Sequence, residues 1–172
     1  MRNQTKNSKT KKTTTALKVK KITVVFVCTG NTCRSPVAER LFKHHLKMQK
    51  KSQLFKVSSL GLSAYADSPM SINSQQILKN NKITHINHRA KVLTIKALQT
   101  TDYFICMTAG HKVAMPNHPQ VHTIASITNG GDVADPYRGT VEMYQKMFEH
   151  LEYAIPEVLD FIEKQEKEKE KL

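Results

Sequence analysis

The residues of this chain best suited to covalent chemistry lie between Val24 and Pro36, a stretch that reads VVFVCTGNTCRSP. Cys28 offers a thiol and Arg34, six positions on, a guanidinium; Gly30 and Asn31 lie between them and Ser35-Pro36 follow. A guanidinium is a planar, two-pronged donor that matches two oxygens of a phosphate dianion. A thiol at the amino end of a helix and beside an arginine favours its thiolate form, which is the nucleophile. The pair suits holding a phosphoryl group above a sulfur that attacks it. The product is a phosphocysteine, which water then hydrolyses, a route that calls for no metal and no organic cofactor. Ser35 is placed to donate to the sulfur both as nucleophile and as leaving group.

Such a loop needs a strand to end it and a helix to follow it. Ile22 to Val27 is apolar, β-branched and uncharged, and its continuous rather than alternating pattern predicts a buried parallel strand. Pro36 suits the first turn of a helix, where its missing N–H is not needed. From Val37 to Lys50, Leu41, Phe42 and Leu46 recur at helical spacing with basic residues elsewhere. The loop residues Thr29, Gly30, Asn31, Thr32, Cys33 and Ser35 then present backbone N–H groups at a helix amino end, where the dipole favours an anion. Gly30 and Asn31 both tolerate the left-handed backbone that turns those groups inward.

The rest of the chain alternates in the same way. Strands are expected near Phe55 to Leu60, Thr101 to Met107 and Gln120 to Ile124. Helices are expected over Ser71 to Lys79 with Ser71 as cap, Thr94 to Leu98, Ala109 to Met115, and Val141 to Glu163 with a kink or break at Pro156. Glu163 to Lys171 reads as a frayed, solvated helix tail. The pattern predicts an α/β fold of three layers, a four-stranded parallel sheet with helices on both faces. Ligands of such sheets bind at the carboxyl ends of the strands beside the switch in strand order, and Cys28 ends the first strand.

The string CTGNTCRSP resembles the phosphate-binding loop of the low-molecular-weight protein tyrosine phosphatase family, and the resemblance runs from about Lys20 to about Lys164. Val57-Ser58-Ser59 with Gly61 resembles the family's second strand, whose serine supports the loop asparagine, here Ser59 and Asn31. Ile86-Asn87-His88 resembles the segment whose histidine joins that network, and Asp135-Pro136-Tyr137 resembles the loop that supplies the general acid. The resemblance implies Cys28 as nucleophile, Arg34 as phosphate binder, Asp135 as acid, and phosphorylated proteins as substrates. Tyrosine-specific members carry a bulky aliphatic residue where this chain has Thr32. Threonine there, like DVADPY after Gly130-Gly131, resembles the protein arginine phosphatase branch. A small hydroxyl-bearing rim accommodates a planar, polar guanidinium better than an aliphatic wall does. Phosphoarginine is accordingly expected before phosphotyrosine.

Asn129-Gly130-Gly131 is a strong turn signal, and Pro136 fixes the backbone after Asp135. A leaving nitrogen must gain a proton, so a carboxyl near it is required; Asp132 is the rival for that role. Tyr137 is a candidate pocket wall. Arg138 replaces the second aromatic found in tyrosine-specific relatives and weakens a flat aromatic clamp. Cys33 is either a partner for Cys28 on oxidation or a buried loop residue. Cys106, inside the apolar run Tyr103-Phe104-Ile105-Cys106-Met107, is expected to be inert. The eight histidines show no metal-ligand spacing, His118 and His122 included.

At 172 residues the length suits one domain. The division expected is a basic extension over residues 1–20 and a catalytic domain over 21–172. The segment Met1 to Lys21 holds Arg2 and seven lysines and no acid, and so carries eight of the formal +13 charges. It reads as a disordered extension. Nucleic-acid binding would rest on that tail alone. No apolar run approaches membrane-spanning length and the amino terminus lacks a signal-peptide pattern, so a cytoplasmic monomer is expected. Three competing functions are weighed beside the phosphatases. An arsenate reductase would need further cysteines to relay a disulfide. A non-catalytic phosphate-binding module would be expected to lose the nucleophile or the acid. A nucleic-acid-binding protein has only the tail.

Overall fold

The structure, a computed structural model, describes residues 20–172, so nearly all of the basic extension lies outside the described residues. Four strands, β1 (Ile22–Cys28), β2 (Phe55–Gly61), β3 (Tyr103–Cys106) and β4 (Val121–Thr123), form one parallel sheet in the order β2-β1-β3-β4. β1 pairs with β2 from Ile22↔Phe55 to Cys28↔Gly61 and with β3 from Val24↔Tyr103 to Val27↔Cys106. The chain leaves β1 toward β2 and later crosses to β3 on the other side. The carboxyl end of β1, where Cys28 sits, is therefore the switch point.

The uniformly apolar sequence of β1 reflects burial on two faces. Val24 and Phe26 point into the larger core, with Phe42 of α1 (Arg34–Met48) and Leu151, Ile155 and Leu159 of α6 (Val141–Lys169). Val25 and Val27 point into a second cluster with Phe104, Cys106 and Met115, against which Ala97 and Leu98 of α3 (Ile95–Thr100) pack. Phe42 stands edge-on to both Phe26 and Phe55, at 5.4 and 5.8 Å between ring centres, and this locks α1 over β1 and β2.

The remaining helices are α2 (Ile72–Asn80), α4 (Ala109–Ala114) and α5 (Ile124–Thr128). Side-chain oxygens cap their starts: Ser71 receives the Ser74 N–H, Thr94 that of Ala97, Thr108 that of His111, and Thr123 that of Ser126.

α1 begins at Arg34, so Pro36 lies in its first turn as expected and the guanidinium belongs to the helix's first residue. Three expectations need correction. The fourth strand ends at Thr123, because Thr123 and Ser126 form a reciprocal capping box that starts α5. α6 runs 29 residues through Pro156 without a break. The carbonyl that Pro156 leaves free belongs to the exposed Glu152, where water can reach it. The helix tail expected to fray is instead continuous to Lys169, because Lys169 Nζ and Glu166 Oε1 hold the Tyr103 hydroxyl at 2.8 and 2.6 Å.

Candidate active site

The loop from Cys28 to Arg34 wraps the carboxyl end of β1 and runs straight into α1. Asn31 is fully buried and takes φ +54°, the left-handed conformation that asparagine tolerates. Gly30, which would tolerate it too, does not adopt it; among the described glycines only Gly131 has positive φ. One inward turn at Asn31 suffices.

The floor of the loop is a directed chain of hydrogen bonds. The Asn31 backbone N–H points at Cys28 Sγ at 3.3 Å, and Ser35 Oγ lies 2.9 Å from the same sulfur. Asn31 Nδ2 donates to Ser35 Oγ and to Ser59 Oγ, both at 2.9 Å, while its Oδ1 accepts the Lys91 N–H at 3.0 Å. Ser35 Oγ, having accepted there, has its own proton left for Cys28, or for the carbonyl of Leu60 at 3.4 Å. Ser59 in turn donates to Glu39 Oε2 at 2.6 Å, and Lys43 pairs with the other Glu39 oxygen. His88 Nε2 donates to the Asn31 carbonyl at 2.7 Å. Burial of His88 lowers its pKa, with that carbonyl opposing, so the ring at neutral pH is uncharged.

Gly61 supports the loop from below. A Cβ there would lie 2.6 Å from the Thr29 carbonyl oxygen and 2.8 Å from Ala64 Cβ, so only glycine lets β2 come this close. The chain after it is stitched to the loop by Leu62 N–H to Cys28 O and Ser63 N–H to Thr29 O, each 3.0 Å.

Above this floor opens a cleft of about 300 Å³, walled by Thr29, Gly30, Thr32, Cys33 and Arg34 on the loop side, by Ser63, Tyr65 and Ser68 after β2, and by Asp135 and Tyr137 opposite. Cys28 forms its base. Arg34 is 5 % exposed; its Nη2 donates to Asp135 Oδ2 at 2.8 Å and its Nη1 to the Val133 carbonyl at 3.4 Å. Its Nε is buried without a protein partner, an unused donor that an anion in the cleft would satisfy. The second Asp135 oxygen accepts the Tyr137 N–H at 3.2 Å, which fixes the turn. Tyr137 is exposed, and Arg138 lies over its ring at 5.3 Å.

The rival acid is elsewhere engaged: Asp132 Oδ1 accepts the Ala109 N–H at the start of α4, 2.9 Å away. Cys33 is buried with a free thiol, its sulfur 3.4 Å from the Tyr144 hydroxyl; burial and then that contact push the Tyr144 pKa up to about 12. Burial likewise pushes Cys106 up to about 12, which leaves it an inert thiol. Among the described residues no three His, Cys, Asp or Glu side chains converge as a metal set, and no helix is long and apolar enough to cross a membrane.

The site thus gathers Cys28, the loop residues, Arg34, Asp135 and Tyr137 around one cleft with Ser59 and His88 in the network beneath it, and leaves Asp132 and Cys106 outside. It adds Glu39, His111, Tyr65, Ser63 and Ser68, which were not singled out in the sequence. Glu39 had a signal: Ser35, Glu39 and Lys43 stand four apart on one face of α1, beside the buried Phe42.

Comparison with known proteins agrees with this geometry. A family model described as low molecular weight phosphotyrosine protein phosphatase matches residues 23–170. A protein-arginine-phosphatase of Geobacillus stearothermophilus is 32 % identical over 139 residues, which covers 77 % of this chain and 90 % of that one. A low-molecular-weight protein-tyrosine-phosphatase of Staphylococcus haemolyticus is 31 % identical over 137 residues, covering 77 % and 94 %. Among solved structures, the low-molecular-weight protein tyrosine phosphatase of T. tengcongensis superposes with TM-score 0.76 at 34 % identity, covering 81 % of this chain and 98 % of that one. The YwlE arginine phosphatase, solved as a cysteine-to-serine variant with a phosphorylated active-site serine, gives 0.77 at 29 %, covering 83 % and 97 %. With residues 23–170 matched, and with the sheet order and the loop described above, the chain belongs to the low-molecular-weight phosphotyrosine protein phosphatase family.

Proposed function

We propose that this phosphatase hydrolyses phosphoarginine on proteins through a phosphocysteine at Cys28. The observation that carries the chemistry is the stacking of three groups along one cleft: Cys28 Sγ at the base, hydrogen-bonded by Ser35; Arg34 with an unpartnered Nε beside it; and Asp135 across the mouth, 2.8 Å from Arg34. An incoming phosphoryl group competes for Arg34 and frees Asp135, which then carries a proton taken from solvent to the leaving nitrogen. Cys28 Sγ attacks phosphorus; the P–N bond breaks, and the leaving nitrogen takes the Asp135 proton. Water then attacks phosphorus and gives a proton back to Asp135, while the S–P bond breaks and Ser35 donates to the departing thiolate.

Thr32 on the wall supports phosphoarginine as substrate, because it leaves the rim small and polar. So does the naming of the Geobacillus relative, which is said to be a protein-arginine-phosphatase. Phosphotyrosine is the second reading, favoured by the two exposed aromatic side chains at the mouth, Tyr65 and Tyr137. The test is phosphate release from matched phosphoarginine and phosphotyrosine peptides, with Cys28→Ser as control. Faster turnover of phosphoarginine, abolished in the variant, is expected. Faster turnover of phosphotyrosine overturns the substrate assignment and keeps the mechanism, whereas turnover by Cys28→Ser overturns the nucleophile.

A further inference from the structure

One buried side chain outside the loop and its floor reaches the cleft wall. His111 of α4 is 7 % exposed, with Nε2 2.9 Å from the Thr29 hydroxyl and Nδ1 2.9 Å from Thr108 Oγ1. Thr29 itself is exposed and lines the cleft. One tautomer of His111 leaves every hydrogen of this row with an acceptor. Thr108 Oγ1 accepts the His111 backbone N–H at 3.1 Å, and its own proton finds an acceptor in Nδ1. Burial, and after it the Arg34 cation, lowers the pKa of His111 against the opposing carboxylates of Asp135 and Asp132, so the ring at neutral pH is uncharged. In that tautomer its single proton stands on Nε2 and is donated to Thr29 Oγ1. A hydroxyl oxygen that accepts on its His111 side keeps its own hydrogen for the opposite side, which is the cleft.

We propose that His111 is a positioning residue that aims the Thr29 hydroxyl at a phosphoryl oxygen of the bound substrate. The inference rests on the reading of the cleft as a phosphoryl site. A donor fixed in advance adds to Arg34 and the loop N–H groups at no cost of reorientation when the dianion arrives. Without His111 the hydroxyl is free to turn its hydrogen elsewhere.

The test is calorimetric titration of inorganic phosphate into the full-length protein and its variants, which reads binding without turnover. Thr29→Val is expected to weaken phosphate by about tenfold, the worth of one hydrogen bond to a charged group. Thr29→Ser should bind as the unaltered protein does. His111→Ala should lose nearly as much as Thr29→Val, the double variant no more than Thr29→Val alone, and His111→Gln, which keeps an N–H donor, should recover at least half of the loss. Unchanged binding by Thr29→Val overturns the proposal. So do losses that add in the double variant, since His111 then acts by another route. Phosphopeptide turnover by the unaltered protein is a separate readout, so failure of the functional reading is distinguishable from failure of this one.

Discussion

Beneath the phosphate-binding loop, Asn31 and Ser35 have no exposed surface and each polar atom of the Asn31 side chain has a partner. At the mouth of the same cleft Tyr65 is 86 % exposed and Tyr137 60 %. The floor is over-determined: Asn31 alone is tied to Cys28, Ser35, Ser59, Lys91 and His88, and moving one partner strands several others in a low dielectric. The rim has few such constraints. The polar side-chain contacts of Asp135, Tyr137 and Arg138 there are an ion pair with one half-exposed partner, a turn hydrogen bond and an exposed cation over an aromatic ring. The difference separates two tasks. Holding a sulfur and a dianion in register needs preorganisation, whereas choosing a substrate needs only a few side chains that change without disturbing the floor.

The contrast breaks first at the one rim residue with a chemical role. Asp135→Asn is expected to slow turnover by two or more orders of magnitude at neutral pH without lowering Tm; an unchanged rate would move the acid to another residue, Asp132 first. On the floor, Asn31→Ala should do the reverse, costing stability as well as rate. It strands Ser59, Ser35 and the Lys91 N–H, and a loss of about 3 kcal/mol corresponds to a fall in Tm of roughly 6–12 °C by calorimetry. A Tm within a degree or two of the unaltered protein would show that the floor is less cooperative than its bonding implies. Thr32→Ile sharpens the specificity side. The ratio of phosphotyrosine to phosphoarginine turnover should rise by about tenfold with Tm unaltered, the scale of a single wall contact; a constant ratio removes Thr32 from substrate choice.

The smallest effect is of pH on stability. Burial lowers the pKa of His45, His88, His111 and His122 from the usual 6.5. Below that value the unfolded chain binds protons that the folded chain refuses, so stability held above about pH 6.5 is lost as pH falls toward the folded values. Tm should be a few degrees lower at about pH 5.5 than at about pH 7.5, and a flat profile counts against these rings being buried uncharged.

The floor and the rim also differed in how far the sequence revealed them. Cys28 and Arg34 were legible from the strand, loop and helix start around them, Ser59, His88 and Asp135 only through the resemblance of their short strings to those of the family, and the parallel sheet from the unbroken apolar run of β1. Glu39 and His111 were not, since each looks local along the chain but acts on a distant residue: Glu39 on Ser59, His111 on Thr29, 82 positions away. Tyr65 sits in an irregular loop with no periodicity to place it. Element ends were missed where a side chain decided them, as Thr123 and Ser126 do for β4 and the Tyr103–Glu166–Lys169 cluster does for α6.

That last helix bears on how the protein is made. The first turn of α6 brings Tyr144 to Cys33 from 111 positions away, and its last turn clasps Tyr103 of β3. Between them it covers the face of the sheet that Val24 and Phe26 present. A ribosome releases β1 and its thiol early and α6 late. Until α6 docks, that apolar face is covered only in part, by α1, so the segment folds after its synthesis rather than along with it. In the nascent chain the cysteine meant for phosphorus meets whatever else reacts with thiols, with none of its later shelter, and a fragment that stops before α6 should not fold.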